Sequence, residues 1–312
     1  MKQLVVNAAS GAGPLACGRR PRRPFDRSEK PDTFIKPGGP ARTGASGLHT
    51  NVKQLVINAD DFGFTRDVNQ GIVEAHREGI LTATTLMATG AAFDDAVRLA
   101  KQNPSLDVGC HLVLVGEPPF APTVAQLVRD IAVARIRIYD ELAAQVQRII
   151  SAGLRPSHLD THKHTHLLPP VLSAVARISE EFGIPWVRRP FDFPLVPGGS
   201  GWAVRAVSRS FRTMSGHFER VLTRHGCRST DHFAGFQLTG RVTPGSLVDL
   251  IRALPDGSTE FMCHPGRCTD QLRAATTRLK DSREQELRAL TAPEVRAALR
   301  EAQVELISYR EL

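Results

Sequence analysis

The sequence predicts an α/β fold whose parallel sheet closes, or nearly closes, into a TIM-barrel-like (β/α) barrel. Three observations predict it. Short apolar runs of strand length alternate with helix-length amphipathic stretches, the order that parallel strands with helical crossovers require. The residues able to do chemistry stand at the C-terminal ends of those runs, where a parallel barrel builds its site. No GxGxxG or GxxxxGK[ST] stands at a strand–helix junction, which disfavours a nucleotide fold. A doubly wound sheet obeys a similar strand-end rule, and sequence alone separates the two poorly.

The first strand of the domain is the apolar run at 54–59, ending in acid. Residues 65–79 read as a helix, with Ile72, Val73 and His76 able to share a face and Gly79 suited to its end. TATTLMAT at 82–89 is β-rich, 93–102 is helical, and LDVGCHLVL at 106–114 is a strand. A helix over about 140–152 leads to PSHLD at 156–160, then a helix over about 168–182 and a strand at 184–188. Thr243-Pro244 makes an N-cap and first helical position for 244–254. STEFMCHPG at 258–266 is a strand running into a turn. Residues 281–290 and 292–300 are charged amphipathic helices, and 304–309 adds a last strand.

With 312 residues, 41% of them apolar, the chain has enough for a substantial core. The net charge of +8 is uneven: residues 1–51 hold nine Lys or Arg against three Asp or Glu, leaving only +2 for the rest. The basic balance therefore describes the leader, and no finger, KH loop or aromatic-basic motif points to nucleic acid. MKQLVVNA at 1–8 nearly repeats VKQLVINA at 52–59, but only the second copy runs into an acidic pair. Between them the chain is rich in Gly, Pro and Arg. Residues 1–51 are thus expected to be a disordered or extraneous extension, and 52–312 the functional domain. Five cysteines form no dense framework and no CxxC pair, which fits reduced thiols in a cytoplasmic compartment.

Four motifs carry chemistry. In NADDFG at 58–63, an apolar strand delivers Asp60 and Asp61 into a glycine-containing turn. Neighbours on a strand face opposite ways, but at its end a turn can bring both to one cavity; a solvated loop or N-cap is the bland reading. In SHLDTHKHTH at 157–166, His158, Asp160, His162, His164 and His166 are spaced by two and would line one face of an extended chain. Charging several imidazoles together is costly, so such a cluster points to a metal, a phosphate or a proton network; a surface histidine tract is the alternative. His111 in GCHLVL sits within a strand, where a lone histidine is more often a core residue, yet a metal needs a third ligand. His264 ends a strand before Pro-Gly, with Arg267 nearby.

These pieces assemble into one reaction. A divalent ion held by Asp61, His111 and His162, a hard-to-borderline ligand set, polarises a carbonyl and binds water. Asp60 takes the water's proton, and His264 protonates the departing amine. Asp160, His164, His166 and Arg267 remain for substrate. Hydrolysis of an amide on a small polar group is the expected class. A two-metal phosphoesterase or amidohydrolase is the first alternative, with Asp160, His164 and His166 as further ligands; a sugar or lipid-headgroup binding protein is the second. A serine hydrolase is disfavoured, since no GxSxG elbow occurs.

NADDFG, GCHLVL, HLDTHKHTH and CHPG, in this order, resemble the YdjC/ChbG-like carbohydrate deacetylases over about 53–312, and the subgroup most similar is the hopanoid-biosynthesis-associated one. The resemblance implies a distorted (β/α) barrel that removes acetyl from N-acetylated sugars with one divalent metal, Mg2+ before Zn2+. By motif, Asp60 resembles the base, Asp61 the metal carboxylate, His111 and His162 the metal histidines, and His264 the late His-Pro histidine. The subgroup implies a glycolipid or hopanoid-linked amino sugar as substrate.

Such a substrate would have to be met at a membrane surface. Residues 186–228 interleave Trp186, Phe191, Phe193, Trp202, Phe211 and Phe218 with eight arginines from Arg188 to Arg228, and could lay aromatics into the interface and attract anionic lipid. A core helix with a solvated basic face is the alternative. The expected location is cytoplasmic, with peripheral contact at the inner face of the membrane. A homodimer is left open.

Overall fold

Strand β1, Lys53–Phe62, organises the sheet, because three other strands pair with it. The computed structural model describes residues 52–193 and 214–312. In chain order the elements are β1, α1 (Arg66–Arg77), β2 (Ala83–Leu86), α2 (Phe93–Gln102), β3 (Asp107–Leu112), α3 (Val124–Ala132), α4 (Ile138–Ser151) and β4 (His158–Thr161). A 3-10 turn at His162–Leu167 leads into α5 (Pro169–Phe182) and β5 (Trp186–Val187). Residues 214–224 form α6, followed by β6 (His232–Ala234), α7 (Pro244–Arg252), β7 (Gly257–Cys263), α8 (Asp270–Ala274), α9 (Asp281–Thr291), α10 (Pro293–Glu301) and β8 (Val304–Leu306).

All pairings are parallel, in the order β5-β4-β3-β2-β1-β7-β6, with β8 beside β1. Read around a circle, that is chain order, the mark of a (β/α) barrel rather than a doubly wound sheet. The sheet curls and stays open between β5 and β6, where, among the described residues, isolated bridges Trp186–Arg228 and Asp192–Phe233 take the place of a strand pairing. The expected distorted barrel is therefore observed.

Alternation along β1 explains the layering. Leu55, Ile57 and Ala59 pack outward into the main core with residues of the surrounding helices. Val56 instead joins Ala83, Trp186, Ile307 and Tyr309 in a separate cluster. Above Val56 on that same inner face come Asn58, bonded to Glu260, and then Asp60. The interior thus grades from apolar to charged toward the C-terminal strand ends.

Local chemistry sets the helix starts. Thr65 caps α1 by accepting from the Val68 N–H, and Thr243 with Ser246 forms a capping box before Pro244, each contact contributing on the order of 1 kcal/mol. Gly183 ends α5 in the left-handed conformation. The expected strands are present but mostly shorter, while β1 is longer. Helices α3 and α8 and strand β6 are not expected from the sequence: α3 follows a Pro-rich loop, and α8 and β6 are only five and three residues long.

Two expectations are corrected. The histidine tract does not run extended: the strand stops at Thr161, and Lys163 and His164 take left-handed conformations (φ 54° and 51°). The chain must turn there to enter α5, and Thr161 Oγ1 anchors the turn on the His166 N–H. In the aromatic-arginine run, Trp186, Arg188 and Phe218 are buried, so they cannot enter a membrane interface. Trp202 and Phe211 lie outside the described residues, as do residues 1–51. Among the described residues, no helix is long and apolar enough to cross a membrane.

Candidate metal centre and active site

The site is built at the C-terminal tips of β1, β3, β4 and β7. On β1 the pairing register with β2 slips between Ala59 and Phe62, and Asp61 takes a left-handed φ of 69°. Such a bulge re-aims a side chain that regular alternation would turn away, so Asp60 and Asp61 both reach the cavity. On β3, Gly109 lies flat against β4: a Cβ there would stand 2.5 Å from the His158 carbonyl oxygen. That close approach explains the glycine two residues before His111.

Asp61 Oδ1 lies 3.3 Å from His111 Nε2 and 3.2 Å from His162 Nδ1, and those two nitrogens are 3.2 Å apart. Three lone-pair atoms thus form a nearly equilateral triangle. Ligands about 2.1 Å from a shared ion stand about 3.0 Å apart on an octahedral face and about 3.4 Å apart in a tetrahedron. Asp61 Oδ1 is buried and has no hydrogen-bond partner, as expected of an oxygen reserved for a cation. Both histidines and Asp61 therefore fit a divalent metal, with His162 the most exposed of the three.

Buried arginines hold the carboxylates. Arg283 on α9 donates from Nη2 to Asp61 Oδ2 at 2.5 Å. Arg188, just past β5, donates to both oxygens of Asp60 (2.7 and 2.9 Å), to Asp160 Oδ2 (2.7 Å) and to Glu260 Oε1 (2.7 Å). Burial pushes Asp60 upward, but Arg188, His111 and His264 outweigh it and hold the carboxyl well below the usual range. Asp61 is likewise held low against burial by Arg283 and the two histidines. Burial lowers His111, yet Asp160, Asp60 and Asp61 more than offset this and raise it well above its ordinary value. Carboxylates outnumber guanidiniums here, and His111 is the residue drawn to supply positive charge; a metal cation meets the same demand.

The remaining predicted residues divide. Asp160 is fully buried behind His111, with Oδ1 2.7 Å from Nδ1 and Oδ2 accepting from Thr85. This is the carboxylate–histidine arrangement that orients a metal ligand. His166 is also fully buried, its Nδ1 against Thr161 Oγ1 (2.6 Å) and its Nε2 against the Arg188 carbonyl (3.1 Å). Burial, with the Arg188 charge, lowers its pKa to about 3. Arg267 is paired with Glu74 through Nε and Nη2. His164 and His264 each keep a buried Nδ1 without a partner. His264 Nε2 stands 3.8 Å from Asp60 Oδ2, while its backbone N–H donates to Glu286 Oε2 at 2.5 Å.

Sequence reading missed Arg188 as a site residue, and missed Arg283, Glu286 and Thr85 altogether. Arg188 ends the apolar run IPWVR, as Asp60 ends LVINA, and that shared pattern was the available signal. Arg283 and Glu286 lie on a charged helix with nothing to mark them.

Residues 54–301 match the family model of the YdjC-like proteins. The chain is 34% identical over 271 residues to a carbohydrate deacetylase of Brevibacillus brevis, covering 83% of this chain and 99% of that one. It is 33% identical to a carbohydrate deacetylase of Geobacillus stearothermophilus, covering 83% and 98%. A crystal structure from Enterococcus faecalis, provisionally described as a cellobiose-phosphate cleavage protein, superposes with a TM-score of 0.66 at 23% identity, covering 83% and 98%. That likeness shows the fold.

Proposed function

The chain belongs to the YdjC-like family, and from that membership and the Asp61–His111–His162 cluster we propose that it is a metal-dependent hydrolase removing acetyl from N-acetylated sugars. The observation that carries this reading is the orphaned Asp61 Oδ1 facing two imidazole nitrogens. An ion held by Asp61, His111 and His162 would supply Lewis acidity to an amide carbonyl and activate water near neutral pH. Asp60 is held ionised by Arg188 and stands ready to accept a proton from that water. His264, whose Nε2 stands 3.8 Å from the same carboxylate, is the residue proposed to donate a proton to the departing sugar nitrogen. Asp160 engages His111 Nδ1, which would leave the Nε2 lone pair free for a metal.

The family resemblance implies Mg2+, whereas two imidazoles among three protein ligands favour Zn2+ or a similar borderline ion. One ion per chain is the stoichiometry proposed. A second cluster, Asp60, His111 and Asp160, is already bridged by the Arg188 guanidinium, and His166 has both ring nitrogens engaged. This disfavours a two-metal phosphoesterase. A hopanoid-linked amino sugar is proposed as substrate on subgroup resemblance alone. The direct test is to strip the protein of metal, reload it with Mg2+ or Zn2+, and measure acetate released from a panel of N-acetylated sugars. Acetate release restored by metal supports the reading; none from any sugar with either metal overturns it.

A further inference from the structure

The turn that carries His264 has little freedom. Pro265 has no N–H, so the donors on either side of it are those of His264 and Gly266. Both go to α9: His264 donates to Glu286 Oε2 at 2.5 Å, and Gly266 to the Arg283 carbonyl oxygen at 3.2 Å. A Cβ on Gly266 would stand 3.2 Å from Arg283 Cδ, and one on Gly71 of α1 would stand 2.4 Å from Gly266 Cα. The turn is therefore pressed between α1 and α9.

Glu286 makes the strongest of these contacts. It is buried, and a buried carboxylate is costly unless its oxygens are bonded. Among the described residues its carboxylate is served by no cation but by two backbone N–H groups: His264 at Oε2, and Gly240, in the loop between β6 and α7, at Oε1 (3.0 Å). Hydrogen bonds to a charged acceptor are roughly twice as strong as neutral ones. The His264 ring, by contrast, makes no hydrogen bond among the described residues. Its Nδ1 has no partner, and its Nε2 is 3.8 Å from Asp60 Oδ2. The position of the imidazole is therefore inherited from its backbone. One turn earlier on the same helix, Arg283 orients Asp61.

We propose that Glu286 is a positioning residue for the proton donor: without touching substrate, it fixes the His264 backbone and so sets where the imidazole stands relative to Asp60. The inference rests on the deacetylase reading for the step that His264 serves. One turn of α9 then holds both sides of the reaction, the metal carboxylate through Arg283 and the proton donor through Glu286. Loss of the Glu286 carboxylate should therefore slow turnover and leave substrate affinity unchanged.

A double-mutant cycle reads whether Glu286 acts through His264. It uses metal-loaded protein and the N-acetylated sugar that wild type deacetylates fastest. Glu286→Gln keeps the size but has one acceptor oxygen for two N–H groups. It should lower kcat about 10–100-fold, the scale of a misplacement of about 1 Å, with KM within about twofold of wild type. His264→Ala removes the ring and keeps the backbone N–H. In that background Glu286→Gln should change kcat by less than about twofold. A wild-type kcat in Glu286→Gln, or the same fold loss in both backgrounds, overturns the assignment. Glu286→Asp, one methylene shorter, carries the same cycle if Glu286→Gln does not fold. Should wild type release no acetate from any sugar, the deacetylase reading fails. A crystal structure of the folded Glu286 variant then decides the positioning by itself. The 3.8 Å separation of His264 Nε2 from Asp60 Oδ2 should change by about 1 Å, and an unchanged separation overturns the assignment.

Discussion

Arg283 and Asp61, 222 residues apart in sequence, share a 2.5 Å hydrogen bond that occupies one oxygen of the carboxylate and leaves the other facing His111 and His162. The helix α9 therefore orients a ligand that β1 carries. Arg283→Gln should weaken metal binding by about 10–100-fold, the usual effect of losing a partner that orients a ligand. Arg283→Lys should recover part of it. Calorimetric metal titration checks this, and unchanged affinity in Arg283→Gln would show that Asp61 needs no such brace.

Arg188 has a different consequence because it serves three carboxylates at once. Arg188→Met leaves Asp60, Asp160 and Glu260 buried without their cation. Breaking a buried ion pair from one side costs about 3–5 kcal/mol. The urea midpoint should fall accordingly, whether or not metal is bound. An unchanged midpoint would mean that the network tolerates the loss by taking up protons.

Acid should destabilise the fold through its buried histidines. Burial, then the Arg188 charge, holds His166 down to about 3 from 6.5, and the same two causes lower His158 well below its ordinary value. Between the unfolded and folded values only the unfolded chain takes up these protons. Stability is therefore full above about pH 6.5 and falls as pH drops toward the folded value, by up to about 1.4 kcal/mol per pH unit for each group. Urea midpoints measured from pH 7 to pH 4.5 should show this slope. His158→Asn should flatten it, and an equal slope in that variant would remove His158 from the account.

Residues 52–312 are proposed to suffice for folding and metal binding, since β1 pairs with β7 and β8 from Lys53 onward. A chain beginning at Val52 should keep the melting temperature and metal affinity of the full chain. Loss of either on truncation would assign residues 1–51 a part in the domain.

Much of the barrel was legible because each long strand is an apolar run with a polar tip, and a parallel barrel gathers such tips at one end. Asp60, Asp61 and His264 stand at such tips in the sequence, while His111 and His162 join them through the need of a metal for further ligands. What lay hidden depends on distance in the chain. Arg188 reads as the polar end of a short strand until Asp60 and Asp160 are folded against it. Arg283 and Glu286 look like ordinary members of a charged helix, and only burial distinguishes them. The histidine tract was misread because a spacing of two fits a strand equally well as it fits a turn, and the left-handed residues Lys163 and His164 carry no glycine to announce it.

One divalent ion at Asp61, His111 and His162 is proposed to make this chain a deacetylase. Acetate release from an N-acetylated sugar by metal-stripped protein, followed as metal is added in fractions of an equivalent, checks this. Activity should rise linearly, saturate at one equivalent per chain and be absent in His111→Ala and His162→Ala. Saturation at two equivalents, or the same rise in either histidine variant, would contradict it.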